Sequence, residues 1–118
     1  MNFDLQHEFE FFERGFGLSP FHDRDEGVFS YVRPYENGRQ LTLTFDIGSV
    51  STLRVTLAEA GVLVSDITVE SFKALAFQAW HGERIVRVDL DHEFSRVDLR
   101  VHYDPAPSIH MAALRGGA

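Results

Sequence analysis

Two neighbouring residues, His22 and Asp23, form the pair in this chain best suited to acid–base chemistry. They end the stretch Pro-Phe-His-Asp, which begins at Pro20, and imidazole and carboxylate groups are common general acids and bases. Adjacent side chains of an extended backbone point to opposite faces, so direct cooperation between the two is not expected. The sequence also has no cysteine and no Gly-x-Ser-x-Gly motif to supply a nucleophile. We therefore predict no catalytic residue: His22 should bond to backbone, and Asp23 should act as a turn or cap carboxylate.

Candidate metal ligands are concentrated in one stretch, Asp89-Leu90-Asp91-His92-Glu93. The spacing Asp-x-Asp can place two carboxylates on one side of a loop, as a hard cation requires. The glycine of a calcium-binding loop is missing, however, and on a strand the two aspartates would be successive outward positions. The six histidines are scattered and form no His-Glu-x-x-His motif. We expect neither a metal ion nor another cofactor.

The formal net charge of −7 is concentrated at the N-terminus. Residues 1–26 contain seven acids and two arginines, a net charge of −5. This segment argues against nucleic acid as a partner, because Lys and Arg bind phosphates, and it favours a basic protein partner; solubility alone would also account for it. Without cysteine, a signal peptide or a long apolar run, we expect a cytoplasmic protein that crosses no membrane. The length of 118 residues predicts a single domain, 1–118.

The elements that must position these groups are mostly strands. In 84–103, apolar residues alternate with arginines and acids, which predicts a hairpin with one face in a core. Similar alternation predicts strands at 28–35, 40–47, 51–58, 62–69 and 108–114, a hairpin turn at Asn37-Gly38 and a turn at 17–20. The predicted fold is mainly β: an antiparallel meander of about seven or eight strands in a sandwich or half-open barrel, with a short N-terminal helix.

Residues 3–14 and 71–81 fit both a helix and a strand. In 3–14 we favour a helix that ends before Gly15 and has one apolar face, formed by Leu5, Phe9, Phe12 and Phe16. In 71–81, helix propensity favours a helix capped by Ser71 and Gly82, whereas a bent strand would place Leu75 and Phe77 on one face.

The hairpin of 84–103 has two plausible registers. Pairing Arg87 with Arg100 would place like charges directly opposite each other. Pairing Arg87 with Asp98, and Asp89 with Arg96, places unlike charges opposite each other. Because like charges directly opposite are unfavourable, we predict the second register.

The motif Phe21-His22-Asp23, followed by a meander of strands, resembles small bacterial domains with a Phe-His-Asp motif, some of which are immunity proteins of polymorphic toxin systems. The likeness spans roughly residues 18–115 and includes an apolar pattern before the hairpin at Val69, Phe72, Leu75, Phe77 and Trp80. The small residue that usually follows the aspartate is Arg24 here. In such domains the region matching 69–80 is extended, which favours a strand there.

This resemblance implies a protein that binds rather than catalyses, with a basic toxin as its partner. An acidic surface would increase both the association rate and the complementarity with such a partner. The predicted partner-binding residues are acids of the N-terminal segment: Glu8, Glu10, Glu13, Asp25 and Glu26.

Two other functions are open from the sequence. One is a structural β domain that forms a homodimer through an exposed edge strand. The other is a metal-binding or hydrolytic protein that uses His22, Asp23 and a further histidine. Trp80-His81-Gly82 could also form a binding corner, although a lone Trp at the end of an element is more often part of a core.

Overall fold

The computed structural model describes residues 5–48, 51–90 and 95–115. Within these ranges the protein is mainly β, with nine antiparallel strands in two sheets and one short α-helix. The chain divides into two compact units, Met1–Glu70 and Ser71–Ala118. The predicted fold class and N-terminal helix are confirmed, whereas the single domain 1–118 stays a prediction.

The first unit contains the α-helix, a 3-10 helix and a five-stranded sheet whose strands follow the order of the chain. The helix α1 is Leu5–Glu13 and the 3-10 helix is Arg24–Glu26. The strands are β1 Gly17–Leu18, β2 Val28–Pro34, β3 Arg39–Asp46, β4 Thr52–Glu59 and β5 Val62–Glu70. The sequence predicted only a turn at 17–20, but β1 pairs with β2 there.

One face of this sheet forms the core of the first unit. Tyr31, Leu43 and Val55 lie opposite one another on three adjacent strands, and all three are fully buried. Helix α1 packs on this face through Phe11, whose ring stacks on that of Tyr31 with centroids 4.4 Å apart. The burial in β3 and in the first half of β4 thus alternates as a half-buried strand requires, whereas β2 buries three consecutive residues.

Helix α1 ends in a Schellman motif. The Phe16 amide donates to the Phe11 carbonyl at 3.1 Å, and the Gly15 amide donates to the Phe12 carbonyl at 3.2 Å. Gly15 has a φ of 86°, in the left-handed region that glycine adopts without strain. The Phe11 and Phe16 rings then meet edge to face at 5.2 Å, which is the apolar contact that accompanies this cap.

The buried face of α1 differs from the one predicted. Glu8 and Phe11 are buried, whereas Phe9 and Phe12, expected to face the core, are 59% and 38% exposed. The prediction was wrong because it grouped the helix by its phenylalanines and ignored the acid three residues before Phe11. Residues three apart share a helix face, and this acid has partners inside the protein.

The second unit is a four-stranded sheet, again in the order of the chain. Its strands are β6 Phe72–Trp80, β7 Glu83–Leu90, β8 Ser95–Asp104 and β9 Ser108–Arg115. The strand favoured for 71–81 is therefore confirmed. Trp80 pairs with Glu83 across the two-residue turn His81-Gly82, where both φ values are positive. A lone Trp at the end of an element is more often part of a core. Trp80 is instead 58% exposed.

The predicted register of the β7–β8 hairpin was wrong. Arg87 lies opposite Arg100, and Asp89 lies opposite Asp98. The like charges are compensated by two contacts of Asp98 Oδ2. Arg87 Nε lies 3.1 Å from it diagonally across the strands, and Arg100 Nη2 lies 3.3 Å from it along the same strand. The charges of directly paired residues alone therefore do not give the electrostatic energy of this hairpin.

Apolar pairing explains why the observed register is preferred. It places Val86 opposite Val101, both fully buried. The observed register has three apolar pairs, because Val88 also lies opposite Leu99 and Leu90 opposite Val97. The other register is shifted by two residues and would have kept two, since it would have placed Val101 opposite the exposed Arg84 and Leu90 opposite Ser95. One more apolar cross-strand pair contributes roughly 0.2–1 kcal/mol.

Candidate functional site

Four polar side chains meet at the edge of the core in the first unit, and we call them the Glu8 cluster: Glu8, His22, Arg24 and Tyr31. Arg24 Nη2 lies 3.1 Å from both carboxylate oxygens of Glu8. The Tyr31 hydroxyl donates to Glu8 Oε2 at 3.0 Å, and His22 Nε2 lies 3.8 Å from the same oxygen. The cluster joins α1, the loop before the 3-10 helix, the 3-10 helix itself and strand β2.

Burial changes the acidity of one member of the cluster. Loss of solvent raises the pKa of Tyr31 well above its usual value of 10.0, and the hydrogen bond to Glu8 raises it further. Both causes act in the same direction because a phenolate would be desolvated and would face a carboxylate. Tyr31 is therefore held as a neutral hydrogen-bond donor rather than as a base.

His22 occupies a structural position beside the sheet edge. Its Nδ1 accepts a hydrogen bond from the Ser30 backbone amide at 3.0 Å, just beyond the point where β1 stops pairing with β2. Because Nδ1 accepts, the proton of the neutral ring is on Nε2, which faces Glu8. The ring also packs against Phe29 and Tyr31 at centroid distances of 5.8 Å and 5.6 Å.

Asp23 caps the 3-10 helix that follows it. Its Oδ1 accepts from the Glu26 amide at 3.3 Å, and its backbone amide and carbonyl both bond to Val28 at 2.8 Å. The side chains of His22 and Asp23 thus have separate partners, as expected from the sequence. Phe21, the third residue of the motif, is 67% exposed, and its amide donates to Ser19 Oγ at 3.0 Å.

The five predicted partner-binding acids divide into two groups. Glu8 is buried, and its carboxylate is occupied by Arg24 and Tyr31. The other four lie at the surface, where Glu10 is half-buried and the rest are exposed: Glu10, Glu13, Asp25 and Glu26. That these acids bind a partner stays a prediction.

A shallow surface pocket lies on the outer side of α1. It is lined by Phe9, Glu10, Glu13 and Arg14. Arg14 Nη1 donates to the Glu10 carbonyl at 2.9 Å and lies 4.0 Å from Glu13 Oε2. The sequence pattern did not indicate this pocket, because it assigned Phe9 to the core.

The metal-ligand stretch at 89–93 lies mostly outside the described residues, since Asp91, His92 and Glu93 are not among them. In the described part of the chain, no three histidine or acidic side chains converge in a way that could hold a metal ion. No helix in that part is both long and apolar enough to span a membrane.

Comparison with known proteins gives one informative likeness. The sequence matches no known protein family and no curated protein. Its fold is similar to a chain in the solved structure of the contact-dependent growth inhibition toxin–immunity protein complex from Klebsiella pneumoniae 342. The TM-score is 0.75, the alignment covers 92% of each chain, and the sequences are 11% identical. The chain therefore shares the fold of a protein in a toxin–immunity complex.

Proposed function

We propose that this protein is a non-catalytic, cytoplasmic immunity protein that binds and neutralises a basic bacterial toxin. The observation that supports this function most is the fold likeness, over 92% of both chains, to a member of a toxin–immunity complex. A likeness of this kind concerns the fold, so the choice between the toxin and the immunity role must come from residues of this chain.

The residues favour the immunity role. His22, the best acid–base candidate in the sequence, uses Nδ1 for the Ser30 amide and is packed between rings. Asp23 uses its carboxylate as a helix cap. Side chains that are committed to backbone groups are poorly placed to exchange protons with a substrate.

The acidic surface of the first unit supports a basic partner. Glu10 and Glu13 project from α1, and Asp25 and Glu26 lie on the 3-10 helix. Opposite charges across an interface accelerate association and suppress wrong partners. Because Glu8 has partners inside the protein, we leave it out of the proposed surface.

The test is to co-express the chain with the toxin encoded beside its own gene and to follow growth. The variant Glu10→Lys/Glu13→Lys/Glu26→Lys should protect cells poorly. By calorimetry its Kd for the purified toxin should rise about 10-fold or more, and the Kd should depend less on salt.

A matched control separates local from global electrostatics. Glu36→Lys/Glu59→Lys/Glu70→Lys changes exposed acids elsewhere in the first unit and alters the net charge by the same amount, three times +2. It should protect cells nearly as well as the wild type. Equal loss in both variants would contradict the proposed surface, and no protection by the wild type would contradict the proposed function.

A second candidate function, homodimerisation, is favoured by the edge strand β5. Its first three residues, Val62, Leu63 and Val64, are all exposed and apolar, and β5 is the last strand of its sheet. Exposed apolar edges can pair with another chain. Sedimentation should then give a mass near twice 13.4 kDa, and Val64→Lys should restore the monomer. A monomeric wild-type protein at high concentration would exclude this function.

A further inference from the structure

The outer face of α1 combines aromatic and acidic side chains in an unusual way. Phe9 and Phe12 are exposed although they are large and apolar, and Glu13 lies one helical turn from Phe9. A single exposed apolar residue needs no explanation, but an apolar group that lines a pocket together with charges marks an interaction surface.

The pocket beside this face has the composition of a site for a cation. One aromatic residue, Phe9, and two acidic residues, Glu10 and Glu13, line it together with Arg14. Arg14 donates from Nη1 to the Glu10 carbonyl and lies 4.0 Å from the Glu13 carboxylate. Two carboxylates against one guanidinium leave the pocket with a net negative charge.

We propose that this pocket binds an arginine side chain of the toxin. The guanidinium would lie over the Phe9 ring, as cation–π geometry favours, and would form charge-assisted hydrogen bonds with Glu10 and Glu13. This inference rests on the proposed function, because it names the contact through which the same acidic surface recognises a basic partner. It goes further, because it requires an aromatic side chain as well as the acids.

The Glu8 cluster explains how the pocket is held in place. Glu8 is bound to Arg24 and Tyr31, and Phe11 is stacked on Tyr31. These contacts fix the rotation of α1 about its axis, so positions 9 and 13 must face outward. The pocket is therefore preorganised, which lowers the entropic cost of binding.

The first test uses Phe9→Ser and measures its Kd for the purified toxin by calorimetry. Loss of the aromatic wall should weaken binding about 10-fold or more, with unchanged net charge. The control is Met111→Ser, which removes an apolar side chain of similar exposure, 52%, from β9 in the second unit. It should leave the Kd within about 2-fold. If Phe9→Ser binds the toxin as tightly as Met111→Ser does, the pocket is not the contact.

The second test does not need the toxin. Acetyl-arginine amide is titrated into isotope-labelled protein while the backbone amide resonances are followed. The probe should shift the amides of Phe9, Glu10 and Glu13 in the wild type and should do so much less in Phe9→Ser. Shifts confined to Asp25 and Glu26, or no shifts at millimolar probe, would overturn the proposal. Shifts at the pocket in a protein that neutralises no toxin would instead contradict the proposed function and leave the pocket standing.

Discussion

Replacement of Glu8 by alanine should destabilise the protein strongly although it removes only one acid from a very acidic chain. The carboxylate accepts hydrogen bonds from Tyr31 and Arg24 inside the first unit. Its loss removes the Glu8 acceptor from the buried Tyr31 hydroxyl, and the loss of a buried hydrogen bond costs about 1–3 kcal/mol. The Arg24 side chain is 50% exposed, so water can replace its partner and its share is at most about 1 kcal/mol. The free energy of unfolding should fall by about 1–4 kcal/mol.

Glu13→Ala is the matched control for this prediction. Glu13 is on the same helix, and its side chain is 75% exposed. Glutamate and alanine both favour helices, so this change should alter the free energy of unfolding by about 0.5 kcal/mol or less. Urea unfolding followed by far-UV circular dichroism gives both values.

The double variant Glu8→Ala/Tyr31→Phe tests the cause of the loss. Once the Tyr31 hydroxyl is removed, its hydrogen bond to Glu8 is already absent, so Glu8→Ala should cost about 1 kcal/mol less than it does with Tyr31 present. The proposed role of the Glu8 cluster would be refuted if Glu8→Ala were as stable as Glu13→Ala. It would also be refuted if the stability losses of Glu8→Ala and Tyr31→Phe simply added in the double variant.

Three further predictions concern the same unit. Because burial raises the folded-state pKa of Tyr31 above its unfolded value of 10.0, its contribution to stability is present below pH 10 and is lost as the pH rises further toward the folded-state pKa. Above pH 10, the free energy of unfolding of the wild type, measured with urea, should therefore fall by up to about 1.4 kcal/mol more per pH unit than that of Tyr31→Phe. The same pH dependence in both proteins would contradict this. Gly15→Ala should lower the free energy of unfolding by about 1–2 kcal/mol, because position 15 has a left-handed φ of 86°. Gly17→Ala should change it by no more than about 0.5 kcal/mol, because an added Cβ at position 17 meets open space. Equal urea midpoints for the two variants would contradict this prediction. His22→Ala should cost about 1–3 kcal/mol by orphaning the Ser30 amide without changing toxin binding, and weakened binding at unchanged stability would place His22 in the interface instead.

Alternation along the chain predicted most of the strands, and strand β3 shows why, because it buries one face. In β3, Leu41, Leu43 and Phe45 are all buried, as their spacing indicated. The short strand β1 could not be predicted, because two residues are too few to show a period. Strand β6 contradicted its own helix propensity, and only the resemblance to extended domains indicated it correctly.

The Glu8 cluster could be predicted only in part. The spacing of Glu8 and Phe11 placed them on one helix face, but an acid at a core position normally argues against burial. The compensating partners, Arg24 and Tyr31, lie 16 and 23 residues away in the sequence. No local pattern contains such a long-range pairing, so charge alone assigned Glu8 to the surface together with its neighbours.

The rotation of α1 links the stability of this unit to its surface. A rotation that buried Phe9 and Phe12 instead would remove more apolar area from water, and full burial of one Phe contributes about 1.5–3 kcal/mol. The helix does not adopt it, because that rotation would break the Phe11–Tyr31 stack, the Glu8 hydrogen bonds and the Phe11–Phe16 contact at the cap. A buried acid thus leaves the Phe9 ring, and part of the Phe12 ring, exposed to water. A partner that covers these rings would recover the apolar free energy that folding leaves unused, and this is the physical reason to expect binding at α1.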